Sequence, residues 1–153
     1  MNYKLSKKSL SRLEGVHPAL VNVVKRAIEL TQVDFAVNEG LRTVERQREL
    51  VASKASKTMN SRHLTGHAVD LVAWVGNEPR WDWPLYFQIA NAMKQAAHEQ
   101  NVTITWGGVW DKPTYLYDDP EEEVTMYVER CRLEKSKPFL DGPHFELDRG
   151  MYK

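Results

Sequence analysis

The stretch HAVDLVAWV (His67–Val75) is rich in β-branched residues and predicts a strand. Successive side chains of a strand point to opposite faces of the sheet. Asp70 therefore shares a face with Ala68 and Val72, whereas His67 points the other way. This alternation makes Asp70 a candidate for chemistry on one face of the predicted sheet, and it predicts a structural role for His67.

Helices and short strands are predicted on both sides of this stretch. Apolar residues at helical spacing, with Pro18 and Thr43 as start signals, predict helices over Pro18–Leu30, from Thr43 to about Ser53, and from Pro84 to about Glu99. Further β-prone segments are Val33–Asn38, Val102–Thr105 and Pro143–Leu147. The sum predicts a small single domain over residues 1–153. Its class is α+β, with a short antiparallel sheet and helices packed on one side.

The segment from Lys112 to Lys137 is long and charged, and its pattern leaves two interpretations open. The run from Pro120 through Leu133 could form a helix. Alternatively, 112–137 is an inserted loop or a lid over a cleft.

Composition excludes several classes of function. Lys plus Arg and Asp plus Glu number 21 each, so the formal net charge is zero. A nucleic-acid-binding protein needs a basic excess to track phosphates, so no nucleic-acid partner is predicted. The single cysteine, Cys131, excludes an internal disulfide. No apolar h-region and no bilayer-length apolar run occur, which predicts neither a signal peptide nor stable membrane insertion.

Metal-type residues concentrate in two segments, SRHLTGHAVD (Ser61–Asp70) and DGPHFE (Asp141–Glu146). Catalytic zinc takes about three protein ligands from His, Asp or Glu and keeps one position open. The two segments supply such a set, which predicts one Zn²⁺ in a cleft over the sheet with these ligands: His63, Asp70 and His144. Spacing alone also leaves open a structural role for the histidines, and it excludes the helical H-E-x-x-H pattern.

Other polar residues in these segments suggest supporting roles. Asp141, across the Gly142-Pro143 turn from His144, is the candidate general base. Glu146 shares a face with His144 and either orients that histidine or is simply solvated. Arg42 is a candidate to stabilise an oxyanion or to bind a substrate carboxylate. A plain ion pair of Arg42 with a nearby glutamate is the alternative.

The pattern S-x-H-x-x-G-x-A-x-D, followed far downstream by a carboxylate-x-x-H, resembles the D-alanyl-D-alanine carboxypeptidase-type (VanY-like) zinc metallopeptidases. Within that family it is most similar to the L-alanyl-D-glutamate endopeptidases of phage lysis systems. The motifs stand in this order from about Val33 to Leu147: Gly40-Leu41-Arg42-Thr43 with Gln47; Ser61, His63, Gly66, Ala68 and Asp70; Trp106-Gly107-Gly108; and Asp141-Gly142-Pro143-His144.

The resemblance implies that His63, Asp70 and His144 are the zinc ligands. It implies that Asp141 is the acid/base, where many members carry Glu, and that Arg42 is the substrate or transition-state arginine. Residues implied to lie at the substrate are Ser61, Gln47 and Trp106.

The activity implied is that of an endolysin: hydrolysis of the L-Ala–D-Glu bond of the peptidoglycan stem peptide, leading to host lysis by a bacteriophage. The chain is then expected to be a monomer in the host cytoplasm that reaches the cell wall through a holin-type pore. Two alternatives remain at this point. One is a D,D-carboxypeptidase that removes terminal D-Ala, and the other is a non-catalytic cell-wall-binding module.

Overall fold

The computed structural model describes residues 2–56 and 58–153 and arranges them in five α-helices and five β-strands. The helices are α1 (Lys7–Arg12), α2 (Pro18–Leu30), α3 (Val44–Ala52), α4 (Trp83–Gln100) and α5 (Pro120–Leu133). The strands are β1 (Asp34–Glu39), β2 (Ala68–Val75), β3 (Glu78–Arg80), β4 (Ile104–Trp106) and β5 (His144–Leu147). Within these ranges, no helix is both long and apolar enough to span a lipid bilayer.

All strand pairs of the sheet are antiparallel, and the strand order is β1-β2-β5-β4. Strand β3 pairs with the far end of β2. The predicted α+β class with a short antiparallel sheet is confirmed. In the pairing of β2 with β5, Asp70 lies directly opposite His144 and Ala68 lies opposite Glu146. This register places two of the predicted ligands side by side.

One face of the sheet carries the hydrophobic core. Alternate residues of β2 and β5 pack there with the buried stripes of α2 and α4, and none of the sheet residues in this group is exposed: Val69, Leu71, Ala73, Phe145 and Leu147. Because side chains alternate along a strand, the intervening residues Asp70, His144 and Glu146 point to the opposite face. The core thus leaves one side of β2 and β5 for polar chemistry.

The segment 112–137 is mostly the helix α5, which corresponds to the first of the two interpretations rather than to a lid. Asp119 caps the helix by accepting a hydrogen bond from the backbone of Glu121. Val124, Tyr127 and Cys131 recur at helical spacing, and all three are buried in the core. This apolar stripe anchors α5 along much of its length.

Two short elements lie where no element was predicted. Helix α1 begins after Ser6, whose hydroxyl accepts a hydrogen bond from the backbone of Ser9, and Arg12 at its end donates to the carbonyl of Val37. Strand β3 spans only three residues, all exposed. Elements this short carry little periodic signal, so the sequence pattern does not reveal them.

Candidate metal centre

Asp70 and His144 meet because they are opposite residues in the β2–β5 pairing. Both side chains project from the sheet face away from the core. Asp70 Oδ1 lies 3.3 Å from His144 Nδ1. The sheet register alone therefore positions a carboxylate and an imidazole for a shared ligand.

His63 reaches the same point from a 3₁₀ turn over Arg62–Thr65. The Ser61 hydroxyl caps this turn by accepting a hydrogen bond from the backbone of His63. Gly66 ends the turn with φ +75°, and a Cβ there would lie 2.4 Å from the Gly15 carbonyl oxygen. The chain reverses at this glycine, which brings His63 Nε2 to 3.3 Å from Asp70 Oδ1.

Each imidazole is oriented through the nitrogen that faces away from Asp70. His63 Nδ1 lies 2.8 Å from the carbonyl oxygen of Gly40, and His144 Nε2 lies 2.8 Å from Glu146 Oε1. Both oxygens are acceptors, so each of these ring nitrogens carries the hydrogen and donates it. In the neutral imidazoles, the other nitrogens, Nε2 of His63 and Nδ1 of His144, then carry the lone pairs and face Asp70. Such outer partners are typical of metal-binding histidines.

The ligand atoms of His63, Asp70 and His144 all lie within 4.8 Å of one another. His63 Nε2 and Asp70 Oδ1 are buried, and neither has a hydrogen-bond partner of suitable geometry among the described residues. Buried polar atoms without partners are costly unless something binds them. The three residues therefore fit a metal ion that would accept electron pairs from all three.

The electrostatics of this cluster also favour a cation. Burial would raise the pKa of Asp70, but the two imidazoles beside it hold that pKa well below its usual range. Burial would lower the pKa of His144, yet its contacts with Asp70 and Glu146 outweigh burial and raise the pKa to about 9. Both shifts show that positive charge is stabilised between these groups.

Asp141 lies at the edge of the cluster, in the turn before β5. Its backbone N–H donates to the Gly107 carbonyl at 2.8 Å, and its carbonyl accepts from the backbone of His144 at 3.1 Å. Burial, together with the negative charge of Asp70, raises the pKa of Asp141 above its usual value. A carboxyl with a raised proton affinity beside a metal site is suited to accept and release a proton.

Arg42 also lies beside the cluster and lines the same cleft. Its Nε and Nη2 bind the two Glu39 oxygens at 2.7 and 2.6 Å, and its Nη1 donates to Gln47 Oε1 at 2.7 Å. Nη1 also lies 3.5 Å from the Ser61 hydroxyl, and Nη2 lies 3.8 Å from Asp70 Oδ2. The ion pair weighed for Arg42 therefore exists, but it is largely buried and faces the metal cluster.

These groups line one cleft of about 650 Å³. The three candidate ligands lie in its lining with Asp141 and Arg42. Trp110 and Phe139 form an apolar part of the lining, with their rings stacked at a centroid distance of 5.8 Å. The cleft thus joins a charged centre to an aromatic wall.

The sequence profile of the phage L-alanyl-D-glutamate peptidase family matches residues 1–148 of this chain. The chain belongs to this family. The predicted resemblance to phage L-alanyl-D-glutamate endopeptidases is thereby confirmed, and the wider VanY-like grouping is a coarser description of it.

Individual relatives of this L-alanyl-D-glutamate peptidase support the assignment. The L-alanyl-D-glutamate peptidase of Escherichia phage T5 is 29% identical over 123 residues, which cover 78% of this chain and 90% of the relative. That of Listeria phage A118 is 35% identical over 82 residues, 54% of this chain and 28% of the relative. The crystal structure of the Serratia marcescens L-Ala D-Glu endopeptidase ChiX has a TM-score of 0.75 and 38% identity, and the match covers 99% of this chain and 94% of that one.

Two residues expected at the substrate are placed differently in this peptidase. Trp106 has no exposed surface, and its indole N–H donates to the Gly142 carbonyl at 2.7 Å. Gln47 is also fully buried, where it binds Arg42 and donates to the Ser56 hydroxyl. Both side chains lie beneath the surface and bind protein groups. They hold the turn before β5 and Arg42, respectively.

The structure adds residues for which the sequence offered little signal. The Gly40 carbonyl orients His63, and any residue type would supply such a carbonyl. Gly107 is required because a Cβ there would lie 2.1 Å from the Asp141 carbonyl oxygen. Trp110 lines the cleft, with its ring centroid 5.1 Å from that of His144. Trp110 is, with Trp106, one of the two tryptophans that the sequence favoured for the cleft, and of the two it alone lies in the lining.

Proposed function

We propose that this peptidase hydrolyses the L-Ala–D-Glu bond of the peptidoglycan stem peptide with one Zn²⁺ held by His63, Asp70 and His144. The observation that carries the proposal is the convergence of three ligand atoms, two of which are buried without hydrogen-bond partners among the described residues. Two imidazoles and one carboxylate are a donor set that catalytic zinc sites use. Zinc bound there would polarise the scissile carbonyl and would lower the pKa of a water molecule towards 7.

Asp141 is the proposed general base. Its carboxylate accepts a proton from the attacking water and then delivers that proton to the leaving amine nitrogen. Its raised pKa supports the second half of this cycle, because the protonated carboxyl must persist long enough to act as an acid. Its backbone bonds to Gly107 and His144 hold the side chain beside the ligands.

Arg42 is proposed to stabilise the negative charge that develops on the carbonyl oxygen or to bind a substrate carboxylate. Three of its contacts already go to Glu39 and Gln47, so it is held rigidly. A fixed guanidinium offers charge without the entropy cost of ordering a mobile side chain. Ser61, which caps the turn of His63, is proposed to contact the substrate at the same side of the cleft.

Glu146 is proposed to act through His144. Its Oε1 accepts the outer N–H of that imidazole, and its Oε2 lies 3.3 Å from Arg149 Nε. The carboxylate therefore fixes the ring orientation and increases the basicity of the ligand nitrogen. This supports the orienting role over the solvated alternative.

The test combines metal analysis with mass spectrometry of digested muropeptides. Purified wild type is expected to contain about one zinc per chain and to release peptides cut between L-Ala and D-Glu. His144→Ala is expected to lose zinc and activity, whereas Asp141→Ala is expected to keep zinc and lose activity. His98→Ala and Asp118→Ala, both at exposed positions, are matched controls. Loss of a single D-Ala from the substrate, or full activity in metal-free protein, would contradict the proposal.

We further propose that the protein acts as a monomer that is made in the host cytoplasm and reaches the wall through a holin-type pore. The family assignment to phage peptidases supports a role in host lysis. Expression in a Gram-negative host is then expected to cause lysis only when a pore-forming protein is co-expressed. Lysis without a pore-forming protein would contradict the proposed route.

A further inference from the structure

The aromatic wall of the cleft is in direct contact with a proposed metal ligand. The Trp110 ring lies 5.1 Å from the His144 ring, at an interplanar angle of 33°. The Trp110 indole also stacks on the ring of Phe139. Packing of this kind limits the tilt of the imidazole, so the position of Trp110 affects the position of His144.

The residue after Trp110 is bound by helix α5. Arg130 donates from Nε to Asp111 Oδ2 at 2.7 Å and from Nη2 to Asp111 Oδ1 at 2.9 Å. Two parallel hydrogen bonds between a guanidinium and a carboxylate fix both distance and orientation. Asp111 is therefore held in one geometry relative to α5.

A second set of contacts holds Arg130 itself. Its Nη1 donates to Glu123 Oε2 at 2.7 Å, and Glu123 is buried. The same oxygen lies 3.4 Å from Lys112 Nζ. Asp111 and Lys112, the two residues that follow Trp110, are thus both tied to α5 through ion pairs. The Asp111 carboxylate is exposed, but its bidentate partner Arg130 is held in turn by the buried Glu123.

We propose that Arg130 is a positioning residue for the reaction: by holding Asp111 it fixes Trp110 against His144, so that α5 sets the geometry of the metal centre from outside the cleft. This inference rests on the proposed function for the role of His144. It assigns a task to a helix that contributes no residue to the cleft lining described above.

The same helix offers a matched control. Arg132 pairs with Glu129, and both side chains are more than half exposed. Among the residues that the structure describes, no hydrogen bond or ion pair links that pair to the cleft. Removing it changes the charge of α5 as much as removing Arg130 does, but it leaves Asp111 bound.

The experiment compares Arg130→Gln, Asp111→Asn, the double variant and Arg132→Gln in kcat and KM on purified peptidoglycan fragments. Arg130→Gln and Asp111→Asn are each expected to lower kcat by about tenfold or more, since sub-ångström shifts of reacting groups are costly. The double variant is expected to be no worse than Arg130→Gln, because that substitution already breaks the link to Asp111 as well as the bond to Glu123. Arg132→Gln should match wild type. Additive losses in the double variant would overturn the proposal.

A spectroscopic readout separates positioning from general stability. The Trp110 indole N–H resonance, assigned by its absence in Trp110→Phe, is expected to shift in Arg130→Gln and to stay in place in Arg132→Gln. An unshifted resonance with reduced activity would overturn the proposal. If Arg130→Gln does not fold, Arg130→Lys serves instead, because lysine keeps the charge but cannot form the two parallel hydrogen bonds to Asp111. Inactive wild type with the expected indole shift would refute the proposed function and leave the positioning intact.

Discussion

The two imidazoles of the candidate metal centre are held in different ways. His63 donates its outer N–H to the backbone carbonyl of Gly40, whereas His144 donates to the side-chain carboxylate of Glu146. A carbonyl fixes the tautomer and the ring orientation. A carboxylate does both and also adds a full negative charge behind the ring.

The surroundings of the two imidazoles do not divide in the same way. The turn before His144 is held by the backbone bonds of Asp141 and by the Trp106 indole, which donates to the Gly142 carbonyl. The turn that carries His63 is likewise held by a side chain, the Ser61 hydroxyl, and by the bond from Arg42 N to the His63 carbonyl at 2.9 Å. The difference therefore lies in the outer partners of the two rings, of which only Glu146 can be changed by a point substitution of its side chain.

The largest effect is expected from removing either imidazole, which tests whether both are metal ligands. His63→Ala and His144→Ala should each lower kcat/KM by at least about 10³-fold, because several kcal/mol of charge stabilisation depend on the metal. Steady-state kinetics and metal content measure this. His98→Ala should remain at the wild-type level. If only one of the two variants lost its metal, the shared site would be excluded.

The negative charge behind His144 should make the stability of the metal-free protein depend on pH. His144 has an ordinary pKa of 6.5 and a pKa of about 9 when folded. Between these values the folded protein binds a proton that the unfolded chain does not, so stability falls as the pH rises. The loss is expected to reach about 3 kcal/mol.

Urea unfolding of chelator-treated protein from pH 6.5 to pH 9 measures this loss. His144→Gln should remove most of the dependence, and Glu146→Gln should reduce it. A stability that increased over the same range would contradict the assignment of the proton to His144.

The partner of His144 can be weakened without removing a ligand. Glu146→Gln keeps an acceptor oxygen but removes the charge, and it should weaken zinc binding by about 10- to 100-fold. Competition with a coloured chelator gives the affinity directly. Glu129→Gln on the exposed side of α5 is the matched control. No equivalent side-chain substitution exists for Gly40, whose added Cβ would lie 2.1 Å from the Arg12 carbonyl oxygen.

The sequence was sufficient for the parts of the site that follow from strand periodicity. The two-residue repeat placed Asp70 on one face of β2 and placed His144 with Glu146 on one face of β5. The register that makes Asp70 and His144 opposite residues has no such signal, since it depends on how β2 and β5 meet. The hydrogen bond between His144 and Glu146 supports the orienting role among the two that the sequence had left open.

Motif position was a weaker guide to contact with the substrate. Trp106 and Gln47 were expected at the substrate, but both are buried and act through neighbours. A long polar side chain or an indole N–H can form a hydrogen bond to a protein group as readily as to a bound substrate. The sequence does not distinguish these two uses. The carbonyl of Gly40 was unpredictable for a related reason, because every residue has one.

The smallest expected effect tests how far the His144 half depends on its side chains. Trp106→Phe keeps an aromatic ring in the core but leaves the Gly142 carbonyl without its indole donor, which should cost about 1–3 kcal/mol of stability. Zinc affinity should fall by less than about tenfold, because Asp70 and Glu146 still hold the imidazole. Trp81→Phe, at an exposed position, should change neither quantity. Wild-type stability in Trp106→Phe would mean that the backbone bonds of Asp141 hold the turn before β5 without help from the indole.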